Sequence, residues 1–333
     1  MDALHALTLE FLGQPLWMWL GFFGLVGVLL AFDLGILHRG SREIGVRESL
    51  ALSALYIVLG LSFGGFVWAQ LGEQAGVEYI TGFIVEKSLA MDNVFVIAMI
   101  FSFFAIPREY QHRVLFWGVL GVIVLRAIMI GVGATLVAEY AWLLYLFAAF
   151  LVFTGVKMLW WSSEESALGD NPLLKFVRAR LPVTEQLHGD RFFVRAPNKV
   201  GRMVAHMTPV FLALAMIEIA DVIFAVDSVP AIFAITTDPY IVYTSNIFAI
   251  LGLRALYFAL AAVLHRFAYL KQALAILLIF IGSKIFVADM LGLGKFPAEW
   301  SLAITFTILA GGVFYSLWRT RAAPQPSIAT GEN

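Results

Sequence analysis

The chain has 333 residues, 61% hydrophobic and only 14% charged, against about 25% charged in an ordinary soluble domain. Its mean hydropathy of +0.88 excludes a soluble globular class and places it among integral membrane proteins. It has no cysteine, which excludes disulfides, thiolate metal ligands and CxxC redox chemistry by the chain itself, and its net charge of −1 says little.

The six histidines (His5, His38, His112, His188, His206 and His265) fall in loops or at the ends of apolar runs, so no mid-span pair is available for haem. The N-terminus, MDALHALTLEF, has no Lys or Arg. It lacks the basic region of a cleavable signal peptide and is expected to stay in the mature chain.

A helix needs about 20 residues to cross the hydrocarbon. Apolar runs give nine candidates: 15–37, 50–71, 79–104, 114–137, 141–161, 207–236, 241–264, 272–291 and 299–318. All are expected to be helical, because lipid offers no partners to the backbone. The expected fold is an all-α polytopic membrane protein, one transmembrane domain over 1–321 with a tail at 322–333 that reads as disordered. Of the 22 Lys and Arg, 16 fall on one side of this topology, Lys295 alone on the other, and five inside spans. That bias places the N-terminus outside and the C-terminus in the cytoplasm. The longest loop, 162–206, is then cytoplasmic. Within it, 171–181 reads as a short interfacial helix and RFFVRAPNKVGRM as a basic hairpin turning at Asn198 against anionic lipid.

Three signposts recur in order. EKSLAMDNV at 86–94 matches DVIFAVDSV at 221–229, VLRAIM at 124–129 matches GLRALY at 252–257, and LVFTGVKML at 151–159 matches LIFIGSKIF at 278–286. Asp92, Arg126 and Lys157 are spaced by 34 and 31 residues; Asp227, Arg254 and Lys284 by 27 and 30. Spans three to five and six to eight therefore read as two copies of one three-helix unit. An offset of three spans makes the copies cross in opposite directions, as in secondary transporters with midplane sites at the repeat interface.

The spans hold the acids Asp33, Glu86, Asp92, Glu218, Asp221 and Asp227 and the bases Lys87, Arg126, Lys157, Arg254 and Lys284. Each such charge costs about 2.5–3.5 kcal/mol on insertion scales and reads as functional by default. Asp92 and Asp227 lie mid-helix. Glu86 is six residues outward of Asp92, about 9 Å of rise. Asp221 is six residues toward the cytoplasm from Asp227, and Glu218 one turn further on the same face. These carboxylates, with Asn93, Ser228 and Thr154, offer hard oxygen donors suited to Mg, Ca or Mn, and nothing soft for Cu or Zn. Pro230 removes its own N–H and frees the carbonyl of Val226, so a broken helix is expected there. Protons can occupy the same carboxylates, which makes exchange of metal for proton a natural coupling.

Plainer readings stand beside these. Asp92 and Asp227 can pair with Arg254 and Arg126 as glue between the copies, and Asn93 and Ser228 can be interhelical hydrogen bonders. Lys87 reads as an interfacial residue. Lys157, near Trp160 and Trp161, reads as snorkelling to the headgroups. Asp33 reads as a capped helix end, and Gly60, Gly64 and Gly65 as packing residues.

IEKSLAMDNVFV, IEIADVIFAVDSVPAIFAITTDP, SNIFAILGLRALYF and LVFTGVKM closely resemble the TerC family, its Alx branch in particular, over about 17–318. The resemblance implies a bacterial inner-membrane exporter of Mn²⁺, with that ion as substrate and no resident cofactor. The family's acids map onto Glu86, Asp92, Glu218, Asp221 and Asp227. The alternatives are a membrane scaffold or metal-loading partner of secretion machinery working through the 162–206 loop, or a stress-resistance protein (tellurite, alkaline pH) without transport of its own. A homo-oligomer is left open. No nucleophile–His–acid set points to an enzyme, and nothing points to nucleic acid.

Overall fold

The computed structural model describes residues 9–37, 45–160, 182–184, 186–197, 202–260, 270–292 and 296–321. Side chains of Asp33, Asp92 and Asp227 lie outside the described residues, as do the interfacial helix expected at 171–181, the hairpin tip at Asn198 and the tail.

Ten helices follow in chain order among the described residues: α1 Leu16–Leu37, α2 Val46–Leu71, α3 Glu73–Phe103, α4 Arg108–Glu139, α5 Leu143–Trp160, α6 Pro209–Phe233, α7 Pro239–Ile250, α8 Leu253–Leu260, α9 Leu270–Met290 and α10 Ala298–Arg321. Two small antiparallel hairpins complete the fold: β1 Glu10–Phe11 with β2 Gln14–Pro15, and β3 Phe193–Pro197 with β4 Met203–Met207. The architecture is all-α and polytopic, as expected.

Seven stretches among the described residues are long and apolar enough to cross a membrane: α2, α4, α5, α6, α7 with α8, α9 and α10. Helix α1 is apolar over the shorter stretch Leu16–Phe32, and α3, although 31 residues long, carries Glu73, Glu78, Glu86, Lys87 and Asp92. The chain has nine spans only if these two are counted. Large apolar side chains point outward along the helices, among them Val28, Val58, Ile128, Phe153, Ile223, Phe306 and Trp318, as a lipid-facing surface requires.

The start signals are local. Thr208 accepts from the Phe211 N–H to cap α6, with Pro209 in its first turn. Asp238 accepts from the Tyr240 and Ile241 N–H groups to cap α7, with Pro239 in the same place. The stretch Pro239–Ala259 is the central one, 83% buried against 17–50% for the other six. Around its first half lies an aromatic cluster of Trp19, Phe22, Phe63, Tyr79, Phe83, Tyr240 and Phe248, which binds α1, α2 and α3 to α7. Gly60 and Gly64 let α2 approach Phe83 and Tyr79 of α3. Gly65 has nothing near it.

Helices α3 and α4 each pack on both α6 and α7, and α5 packs on α9. The α5–α9 crossing is reciprocal. A Cβ on Gly155 would lie 2.6 Å from the Ala275 carbonyl and close to Ile279; a Cβ on Gly282 would lie 2.5 Å from the Ala148 carbonyl and close to Val152.

The break expected at Pro230 is not where the chain is interrupted. Helix α6 runs on through Pro230 to Phe233. The interruption falls in the next element, at Leu251–Gly252, where Gly252 takes φ +80° and α7 gives way to α8. The hairpin β3–β4 sits against the start of α6: the Thr208 N–H donates to the Phe192 carbonyl at 3.0 Å, and the rings of Phe193 and Phe211 are 4.6 Å apart.

Candidate functional site

Arg126 of α4 is 2% exposed and lies where α3, α4, α6 and α7 meet. Its Nη1 donates to Oε1 of Glu86 on α3 and, at 2.8 Å, to Oδ1 of Asn246 on α7; its Nη2 reaches Oδ1 of Asp221 on α6 at 3.5 Å. Asn93, two turns along α3 from Glu86, donates from Nδ2 to the same Asp221 oxygen at 3.4 Å. Glu86 and Asp221 are 2% and 5% exposed. One guanidinium thus bridges two buried acidic side chains from separate helices.

Not every polar atom is satisfied. Among the described residues, Oδ2 of Asp221, Oε2 of Glu218 and Oγ of Ser228 are buried without a hydrogen-bond partner. Buried oxygens left open are uncommon and call for an unseen partner. Glu218 lies three residues before Asp221, and its carboxylate packs against the bare backbone of α4 at Gly121. A cavity of about 80 Å³ is lined by Asn93, Arg126, Met158 and Ser228, with Phe224 between it and a smaller void bordered by Asn93 and Asp221. That space admits a small ion with some of its water. Among the described residues no three of His, Asp and Glu come together in metal-binding range. The donors gathered here are carboxylate, amide and hydroxyl oxygens, a set that suits a hard cation.

The site unites Glu86, Arg126, Asp221 and Asn93, with Ser228 and Glu218 bordering the group. Asp92 and Asp227 precede Asn93 and Ser228 in the chain. Arg126 finds its partners in Glu86, Asp221 and Asn246, which depth along the helices alone does not indicate. Arg254, which the sequence pattern matches to Arg126, shares a hydrogen bond with His112 Nδ1 at 3.1 Å. Lys284 is buried and donates to Ser301 Oγ at 3.0 Å. It faces a separate cavity of about 270 Å³ that Glu78, Thr236 and Asp289 also line. Lys157 is exposed in the last turn of α5.

Two residues escaped the sequence. Asn246 is a lone amide within the apolar run of α7. Lys87, expected at the interface, is 6% exposed and donates to the Ala249 and Leu251 carbonyls at 2.9 and 3.2 Å. Its neighbour Glu86 gave a local excuse for its charge, whereas its partners lie 162 and 164 residues away.

Fold and site together define a multi-pass helical membrane protein with an ionisable centre buried among its helices. The TerC family of integral membrane proteins matches residues 71–323, and the chain belongs to that family. It is 45% identical over 315 residues, 92% of this chain and 95% of the relative, to an Escherichia coli K12 protein provisionally named membrane-bound redox modulator Alx. It is 44% identical over 317 residues to the uncharacterized membrane protein STKORF319 of Myxococcus xanthus, covering 95% of this chain and 97% of that one. An uncharacterized membrane protein of Rickettsia bellii is 45% identical over 301 residues, 90% of this chain and 97% of the relative. No solved structure matches the chain significantly.

Proposed function

We propose that this chain is a secondary transporter of the bacterial inner membrane that exports a divalent metal ion, with Mn²⁺ as the first candidate, in exchange for protons. The observation that carries the proposal is the convergence of Glu86 and Asp221 on Arg126, beside the open oxygens of Asp221, Glu218 and Ser228. Glu86 and Asp221 hold equivalent places in the two copies of the three-helix unit. Reciprocal packing supports the inverted repeat: Gly155 meets the Ala275 carbonyl just as Gly282 meets that of Ala148, and each pair holds matching positions. A two-fold relation between the copies requires that exchange.

The ion enters from the cytoplasm past Glu218 and reaches Asp221 and Glu86 together, since both converge on Arg126. Six residues along their helices, about 9 Å of rise, Asp92 lies on the cytoplasmic side of this centre and Asp227 on its outer side. Arg126 neutralises the emptied carboxylates and swings aside when a cation takes its place. A guanidinium keeps its charge throughout, so the exchange is one of partners and not of protonation on the arginine. The N-terminus is outside and the C-terminus cytoplasmic. The name of the Escherichia coli relative speaks of redox modulation, but this chain has no thiol with which to do it.

The test is uptake into proteoliposomes under an imposed pH gradient, with Mn²⁺, Mg²⁺, Ca²⁺ and Fe²⁺ compared. Asp221→Asn, Asp92→Asn and Asp227→Asn should each abolish movement of the preferred ion. Variants that carry Mn²⁺ at the wild-type rate would remove these residues from the pathway.

A further inference from the structure

Helix α7 stops at Ile250, and α8 starts at Leu253. The turn between them leaves the last carbonyls of α7 without the N–H partners that a continuing helix would supply. Gly252 fixes the turn: it takes φ +80°, and a Cβ there would lie 2.6 Å from the ring of Tyr56 on α2. The carbonyl end of a helix carries partial negative charge. In interrupted membrane helices that end is where cations bind.

The Lys87 ammonium already occupies this end. Both of its hydrogen bonds go to main-chain oxygens, Ala249 O and Leu251 O, and the group is 6% exposed. Its neighbour Glu86 turns the other way, to Arg126. Consecutive residues of α3 therefore send a negative group into the transport centre and a positive group to the end of α7.

We propose that the released Ala249 and Leu251 carbonyls form a monovalent-cation site whose occupant is built into the chain. Lys87 stands where an alkali ion would otherwise sit and holds the α7–α8 break in place. Removing the ammonium while keeping the carbonyls opens the site to a free ion. Potassium, closest to an ammonium in size, is the preferred occupant. The proposal is independent of whether the chain carries Mn²⁺, because its readout is stability.

The experiment compares melting temperatures of detergent-purified protein in KCl, NaCl and N-methylglucamine chloride at matched ionic strength. Wild type should melt at one temperature in all three. Lys87→Ala should melt low in N-methylglucamine and rise by about 2–4 °C in KCl, saturably and less in NaCl. Lys87→Met, which fills the space without charge, should melt low in every salt. A flat Lys87→Ala would overturn the proposal, as would an equal potassium response in wild type or a Lys87→Met protein as stable as wild type. If Lys87→Ala yields no folded protein, Lys87→Ser carries the same comparison. Failure of both to fold when solubilised in KCl also counts against the site.

Discussion

Replacing Arg126 by methionine keeps most of the side chain's volume and removes its charge. In the structure this leaves Glu86 and Asp221, 2% and 5% exposed, without their shared cation, and Asn246 Oδ1 without its donor. Breaking a buried ion pair from one side costs about 3–5 kcal/mol, and stranding a buried acceptor about 1–3 kcal/mol. The loss should therefore be at least about 4 kcal/mol. At about 2–4 °C per kcal/mol, the melting temperature should fall by roughly 8–16 °C. The discriminating assay is a double-mutant cycle by thermal unfolding in detergent. Glu86→Gln combined with Arg126→Met should be more stable than Arg126→Met alone, with a coupling of about 0.5–3 kcal/mol. A single variant within about 1 kcal/mol of wild type, or a double variant in which the two losses simply add, would refute the bridge.

Gly155→Ala and Gly282→Ala should destabilise to similar extents, about 1–3 kcal/mol each by overpacking, since each new methyl meets a backbone carbonyl at 2.6 and 2.5 Å; unequal effects in thermal unfolding would break the reciprocity. Gly252→Ala should cost about 1–3 kcal/mol from backbone strain at φ +80° alone, and Tyr56→Ala in the same chain should recover the part due to the ring. Lys157→Met, at an exposed position, should change unfolding stability by no more than about 0.5 kcal/mol.

The helices were readable because a membrane imposes length and apolarity on each one directly. The expected run 114–137 lies inside α4 at Arg108–Glu139, and the expected 272–291 lies close to α9 at Leu270–Met290. The charged residues were readable as a set for the same reason, since any ionisable group in a span is costly. What failed was lateral information. Pro230 looked like the breaking point because proline lacks an N–H, yet neighbouring helices accommodate it and α6 continues. The true interruption is written as Leu-Gly, an ordinary pair in membrane helices, and becomes visible only once Tyr56 is seen filling the space a side chain would need. The plainer reading set Arg126 against Asp227, whose side chain lies outside the described residues; among the described ones Arg126 meets Glu86, Asp221 and Asn246, a choice that rotation of the helices decides. Lys157 and Lys284 match in the repeat and yet differ, one exposed and the other buried against Ser301. Helix α10, packed beside α9, provides that hydroxyl.

The crossing of α5 and α9 constrains how such a protein can move. At Gly155 and Gly282 the backbone of each helix comes close to a carbonyl of the other, with Ile279 and Val152 packed alongside. Sliding either helix by a residue would drive Val152 or Ile279 against a neighbour that has no slack. In the proposed transporter this pair would be the fulcrum about which any rocking of the two copies turns.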